Sequence, residues 1–171
     1  DIVALVTSQI VSLTTYQISS VLSTAQVVAI ETVDIDVLTT AQIISLITYQ
    51  VTILSNAQVT AISTQNISVL ETSQVASFTT LQLSSVILSA LNTTAVVILS
   101  SAQIISLSTN QISSVLLTSQ VVAIETADIG SVTSVGISTI TTAAIVGLTT
   151  AQMVALTAAQ LGALKTAQFS L

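Results

Sequence analysis

Leu38-Thr39-Thr40-Ala41-Gln42-Ile43 is the stretch on which the reading of this chain turns. Thr39 suits the N-cap of a helix, and Gln42 its third helical residue. That is the capping-box arrangement, in which each side chain serves a free backbone N–H of the other residue. Leu38 and Ile43 then fall on the two hydrophobic-staple positions. Ile43 and Leu46, three apart, share one apolar face of a short helix. The same reading fits Leu148-Thr149 to Met153 and Leu156-Thr157 to Leu161.

Working outward, the motif recurs along the chain. Gln9, Gln17, Gln26, Gln42, Gln50, Gln58, Gln74 and Gln82 are eight apart or close to multiples of eight, and Gln103, Gln111, Gln120, Gln152, Gln160 and Gln168 continue the series. Asp34, Asn66, Ala95, Asp128, Gly136 and Ala144 fill the remaining glutamine slots, giving 20 octads in 171 residues. The consensus is Leu, Ser/Thr, Thr, Ala, Gln, Ile/Val, any residue, small residue. The position four before the slot and the position after it are apolar in all 20 octads, and the position two before is Thr in 16 of them. This periodicity makes residues 1–171 a single octad-repeat array.

The apolar positions are alternately five and three apart, which matches neither the period of a strand nor that of one long helix. In a continuous α-helix each octad advances about 80° beyond two full turns, so the apolar stripe would spiral around it. A short helix restarted every eight residues satisfies the spacing. The expected fold is therefore all-α, a solenoid of very short helices with one per octad. A β-solenoid with stacked Thr and Gln rows is the alternative, because Thr, Val, Ile and Ser favour strands. Val6, Glu31, Ile47, Glu71, Leu117, Glu125 and Lys165 stand at the N-cap position, where they cap poorly, and the Thr one residue later is more constant than the cap. In either fold one octad cannot bury its apolar residues alone, and stacked neighbours do so together. The slot takes Asp twice and Glu never; in a stack like charges would repel, whereas neutral amides would pair.

The array is irregular in two ways. One extra residue separates Gln17 from Gln26 and again Gln111 from Gln120, and residues 8–35 match residues 102–129 at 21 of 28 positions. A longer duplication of 94 residues thus overlies the octad. With fewer than two copies of it present, the sequence reads as an excerpt of a longer array. The register breaks once more at Ile87 to Ala90.

Composition excludes several function classes. Charged residues make up 5%, against roughly 25% in ordinary domains, and apolar residues 51%. The seven acids Asp1, Glu31, Asp34, Asp36, Glu71, Glu125 and Asp128 face one base, Lys165, for a net charge of −6. That balance argues against nucleic acid, which requires several Lys or Arg to displace counterions. It also gives weak repulsion between copies of an apolar chain, so self-association is expected. Ser, Thr or Gln interrupts every apolar run, so no transmembrane helix is expected. With no Cys there is no disulfide framework, and no signal peptide is expected in the first residues given.

Catalysis has few candidate groups. There is no His or Cys, so no base stands ready to activate the abundant Ser and Thr hydroxyls. The carboxylate clusters Glu31, Asp34, Asp36 and Glu125, Asp128 lie in otherwise normal octads and read as variant caps with solvated charge. Glu31, Asp34 and Asp36 are oxygen ligands of a kind that suits Ca²⁺, but they lack the glycine and the ligand number of an EF-hand loop, and Gly130 replaces the third acid in the second cluster. Gly130, Gly136, Gly147 and Gly162 have no phosphate-loop spacing. No enzyme activity, catalytic residue, cofactor or resident metal is expected. Tyr16 and Tyr49, just before Gln, read as gap-fillers on a packed surface, and Phe78 and Phe169 as core.

The helix start resembles the Leu-Thr-x-x-Gln-Ile start in calmodulin and, at Gln26-Val27-Val28-Ala29, the start of the TAL-effector repeat. These likenesses concern helix initiation over about eight residues and carry no function. Over the whole chain the pattern resembles the Leu-Thr-Thr-Ala-Gln-Ile octad arrays of very long bacterial surface or secreted proteins. That resemblance implies a structural role in an extracellular or cell-surface filament, stalk or adhesin. A Thr-array binding module, such as an ice-binding solenoid, is the alternative, and it requires the Thr two before Gln to form a flat, exposed array.

Overall fold

A computed structural model describes residues 5–86 and 88–169. Asp1, Ile87 and the side chain of Phe169 lie outside what is described. The regular elements of the described residues are all helical, three to six residues long, and no strand occurs among them. The β-solenoid alternative is therefore overturned. Its physical basis fails locally: the Ser and Thr side chains counted toward strands start helices at Ser23, Thr39, Ser55 and Thr79.

The helix beginning at each octad is set by its cap. Thr39 is extended (φ −69°, ψ 157°), and its side chain accepts the Gln42 N–H, while Gln42 Oε1 accepts the Thr39 N–H at 2.9 Å. Ser23 and Gln26, Ser55 and Gln58, Thr79 and Gln82, and Thr157 and Gln160 do the same. Where the N-cap has no hydroxyl, the glutamine oxygen still caps. The N–H groups of Val6, Ile47, Glu71, Leu117 and Lys165 all donate to it. The glutamine N–H then turns to the N-cap carbonyl, as at Val6, Glu71 and Leu117. No helix among the described residues ends on a positive φ. Instead the leucine four after the slot swings to an extended conformation, as Leu54 does (φ −58°, ψ 137°), and its N–H closes on the Val51 carbonyl at 3.3 Å.

The chain forms two compact units, Asp1–Leu91 and Asn92–Leu171. Within each it winds in coils of short helices, with helices packing against those three octads further on. In the first unit Thr32–Asp36 packs on Asn56–Ala61 and Thr48–Ile53 on Thr72–Ser77. In the second, Thr118–Ala123 packs on Thr142–Gly147 and Ser134–Thr139 on Ala158–Ala163. The two apolar positions of each octad fill the core: Ile43, Val51, Val59 and Val75 after the slot, Leu38, Leu46, Leu54 and Phe78 before it.

The irregularities have distinct structural forms. Each extra residue is absorbed as a π-helical turn with the same sequence, Gln17–Val21 and Gln111–Val115, in which the Leu22 and Leu116 N–H groups donate five residues back to Gln17 and Gln111 at 2.9 Å. The register break holds a 3₁₀ turn, Leu88–Ala90, and the boundary between the two units follows it directly.

Ile43 is fully buried, while Val154 is 81% exposed. Ile43→Ala is expected to lower the unfolding free energy by about 2–5 kcal/mol, and Val154→Ala by under about 0.5 kcal/mol, in denaturant titrations followed by circular dichroism. Equal effects would contradict this placement of the core.

Candidate functional site: the glutamine bridge between coils

The most distinctive chemistry lies at the glutamine slot. A helix of five or six residues satisfies few of its own backbone groups, so its terminal carbonyls need partners from elsewhere. The structure supplies them from the next coil. Gln58 Nε2 donates to the carbonyls of Val27 (3.1 Å), Val28 (3.2 Å) and Ile30 (2.9 Å), the last turn of the helix four octads earlier and the corner after it. Gln82 reaches Val51 and Leu54, both at 2.8 Å. Gln74, Gln160 and Gln168 bond the same two positions, 31 and 28 residues back. Gln42 and Gln50 reach 32 back, to Ile10 and Ile18, because the extra residue lies in between.

One side chain therefore does two jobs. Its oxygen caps its own helix, and its NH₂ group caps the C-terminal end of another in the coil before. Gln42, Gln50, Gln58, Gln74, Gln82, Gln152, Gln160 and Gln168 are buried while doing so. The expectation that stacked amides pair with one another is corrected here: the amide partner is backbone. Glu has the length of Gln but no donor, and would turn an oxygen on the same carbonyls. That accounts for its absence from the slot.

Shorter residues do part of the work. Asn66 Nδ2 reaches only the Leu38 carbonyl (2.9 Å), and its oxygen accepts from Thr40 Oγ1 of the earlier coil (3.2 Å) rather than capping Ser63. Asp128 is buried and accepts from Ser101 Oγ in the same manner. Asp34 is only 6% exposed, and its Oδ1 has no hydrogen-bond partner.

The acids singled out in sequence are separated by this geometry. Asp34 is buried in the slot, whereas Glu31 and Asp36 are exposed. Asp128 is buried and Glu125 exposed. The reading of both clusters as solvated charge therefore holds for Glu31, Asp36 and Glu125 and fails for the two slot aspartates. Among the described residues no group of three or more acidic side chains gathers to hold a metal ion. Tyr16 and Tyr49 are exposed on the outer face and do not fill gaps in packing. The Thr two before the slot is the first helical residue, and Thr24, Thr32, Thr48, Thr72 and Thr80 are all exposed. Sequence reasoning found the slot and its cap. It missed the second partner, which lies 28 and 31 residues back and leaves no mark within a single octad.

In comparisons with known proteins, the ALTTAQ repeat family matches the chain twice, over residues 27–64 and 121–158. The two matched stretches are 94 residues apart, the interval of the internal duplication. No curated protein and no solved structure matches the chain. No helix among the described residues is long and apolar enough to cross a membrane.

Replacing Gln58 by Met keeps the length and removes both ends of the bridge. It leaves buried carbonyls and the Ser55 N–H without partners, at a cost of about 1–3 kcal/mol for each group left unsatisfied. Gln58→Met is thus expected to be strongly destabilising in denaturant titrations, and Gln9→Met, whose slot is exposed, to cost about 1 kcal/mol or less. Asp34→Gln is expected to act in the opposite direction. It removes the unpartnered buried oxygen and supplies a cap for the Glu31 N–H, stabilising by about 1–3 kcal/mol; a loss of stability would refute that account of the slot.

Proposed function

We propose that this ALTTAQ-repeat chain is a non-catalytic structural protein that associates with copies of itself, forming or lying within an extracellular or cell-surface filament, stalk or adhesin. The observation that carries the reading is the glutamine bridge, a polar side chain spent on joining one coil to the next and not turned toward a ligand. The outer face supports it. Leu81, Val135, Ile105 and Val154 are exposed aliphatic side chains on a surface with few charges to keep copies apart. The likeness to bacterial octad arrays supports the extracellular setting.

The exposed first-helical-residue threonines favour a second reading, in which rows of hydroxyls order water at an ice surface. Several hydroxyls at this position are engaged along the array: Thr40 donates to Asn66, Thr142 to the Ala167 carbonyl, and Ser101, which replaces a Thr, to Asp128. A row broken in this way is a poor template, which favours the structural reading.

Sedimentation velocity and negative-stain microscopy of the full chain are expected to show particles that grow with concentration. With so few charges, growth is expected to be nearly unchanged from about 0.05 to 1 M salt, a range over which charged contacts weaken strongly. No thermal hysteresis is expected. Single chains at high concentration would overturn the structural reading, and thermal hysteresis would establish the second.

A further inference from the structure

The glutamine slot is a meeting point of carbonyls. Gln42 Nε2 stands 3.2, 3.0 and 2.8 Å from the carbonyl oxygens of Ile10, Val11 and Leu13, so three oxygens converge on one group. Gln58 gathers the carbonyls of Val27, Val28 and Ile30 in the same way. Three such oxygens make the place electronegative, and the glutamine meets it with a donor NH₂ group. Asp128 brings a carboxylate to the equivalent place and is buried there, 8% exposed.

The register fixes what Asp128 faces. Thr40 Oγ1 donates to Asn66 Oδ1, 26 residues on, and Asn66 Nδ2 donates to the Leu38 carbonyl, 28 residues back, at 2.9 Å. Ser101 Oγ donates to Asp128 Oδ1, 27 residues on. It is the same bond, lengthened by the one extra residue of the π turn Gln111–Val115. Gln42 spans the earlier π turn and reaches 32, 31 and 29 residues back. The same intervals from Asp128 lead to the carbonyls of Val96, Val97 and Leu99, the last turn of Thr93–Val97 and the corner after it. All of these residues belong to the second unit. Among the described residues no side chain donates to the three carbonyls. In the place where Asn66 holds Nδ2, Asp128 holds its second oxygen. That oxygen and the Leu99 carbonyl are then two acceptors roughly 3 Å apart with no hydrogen between them. The other slot aspartate, Asp34, likewise leaves an oxygen without a partner.

We infer that the slot at Asp128 binds Ca²⁺, held by the Asp128 carboxylate, the carbonyls of Val96, Val97 and Leu99 and the Ser101 hydroxyl, with water completing the shell. Ca²⁺ takes oxygen ligands only, mixes carboxylate with backbone carbonyl, and holds them at about 2.3–2.6 Å. Oxygens at that distance from one ion stand roughly 3 Å apart, the spacing at which the slot sets its acceptors. Mg²⁺ fits less well, because it demands a smaller, near-ideal octahedron and keeps several of its waters. The ion would do the work of the missing NH₂ group, tying the end of one helix to the start of a helix in the next coil. Such a site needs one carboxylate, so it requires no gathering of acids, and none occurs among the described residues. A single carboxylate also puts the affinity at the weak end for Ca²⁺ sites, with a Kd of about 10⁻⁴–10⁻³ M.

The test is unfolding of the full chain, followed by circular dichroism at one protein concentration. Samples contain a chelator, about 10 mM Ca²⁺, or Mg²⁺ at the same concentration, all matched in ionic strength with NaCl. Ca²⁺ at ten times Kd is expected to lower the unfolding constant about tenfold, and Mg²⁺ to lower it much less. Asp128→Asn is expected to fold, since Asn66 fills the same slot, and to lose the Ca²⁺ response. Asp36→Asn removes the same charge from an exposed side chain and is expected to keep it. Asp128→Gln supplies the amide that the carbonyls lack. It is expected to exceed the parent in stability in chelator and to ignore Ca²⁺. Equilibrium dialysis with Ca²⁺ is expected to show a bound ion lost in Asp128→Asn and retained in Asp36→Asn. Equal stabilisation by Ca²⁺ and Mg²⁺, or a Ca²⁺ response in folded Asp128→Asn equal to that of the parent, overturns the site.

Discussion

A helix of five or six residues is mostly ends. Four N–H groups and four carbonyls at its termini lie beyond the reach of its own hydrogen bonds, and buried backbone groups without partners are costly. An array of such helices exists only if something else satisfies those groups at every octad. The glutamine side chain does so at both ends at once: oxygen to the start of its own helix, nitrogen to the finish of an earlier one. Capping and stacking thereby become a single event. A coil that caps itself also holds the coil before it, which gives a chain of very short helices cooperativity that no isolated octad possesses.

The bridge also explains why this slot is so selective. The span from an N-cap N–H to two carbonyls in the neighbouring coil requires two methylenes and an amide. Asn66 is one carbon short and reaches only the Leu38 carbonyl. Asp34 and Asp128 offer no donor at all, and the unpartnered Oδ1 of Asp34 marks the cost. Gly136 and Ala144 leave the place empty of polar groups, and there the surroundings close in: a Cβ on Gly136 would stand 2.8 Å from Ile112 Cδ1. The N-cap is less selective because it has a fallback. When Val6, Glu71 or Leu117 provides no side-chain acceptor, the backbone carbonyl of the same residue accepts the N–H that a hydroxyl would have taken.

That contrast sets what was legible in the sequence. The cap, the apolar pair around the slot and the helix restarted every eight residues are local, and Leu38 to Ile43 contain all of them. The acceptors of Gln58 Nε2 at Val27 and Ile30 are not local. An eight-residue period says nothing about how many octads make one coil, so the partner 28 or 31 residues back has no signature in the repeat itself. For the same reason the amides were expected to pair with one another. The buried state of Asp34 was hidden too: its octad looks ordinary, and its neighbours Glu31 and Asp36 are solvated. The strand alternative arose from counting Thr, Val and Ile by propensity, a weak guide when each residue has a specific hydrogen-bonding duty.

The irregular octads show which quantity the fold holds constant. The extra residue after Gln17 and after Gln111 falls between the two apolar positions, and the helix widens to a π turn to keep both facing inward: Ile112 and Leu116 remain buried around it. At the register break the change is the reverse. Val86 and Leu88 are two apart where the octad would place such residues five apart, so the segment that carries cap and first helical turn is gone. A 3₁₀ turn takes its place, and Leu88 and Leu91 are still buried. Helix type thus varies while the inward residues do not. The period of eight is the commonest way to bring an apolar pair and a bridging amide back to the same wall. Insertions and deletions are tolerated wherever backbone hydrogen bonding can be rearranged to return that pair to its place.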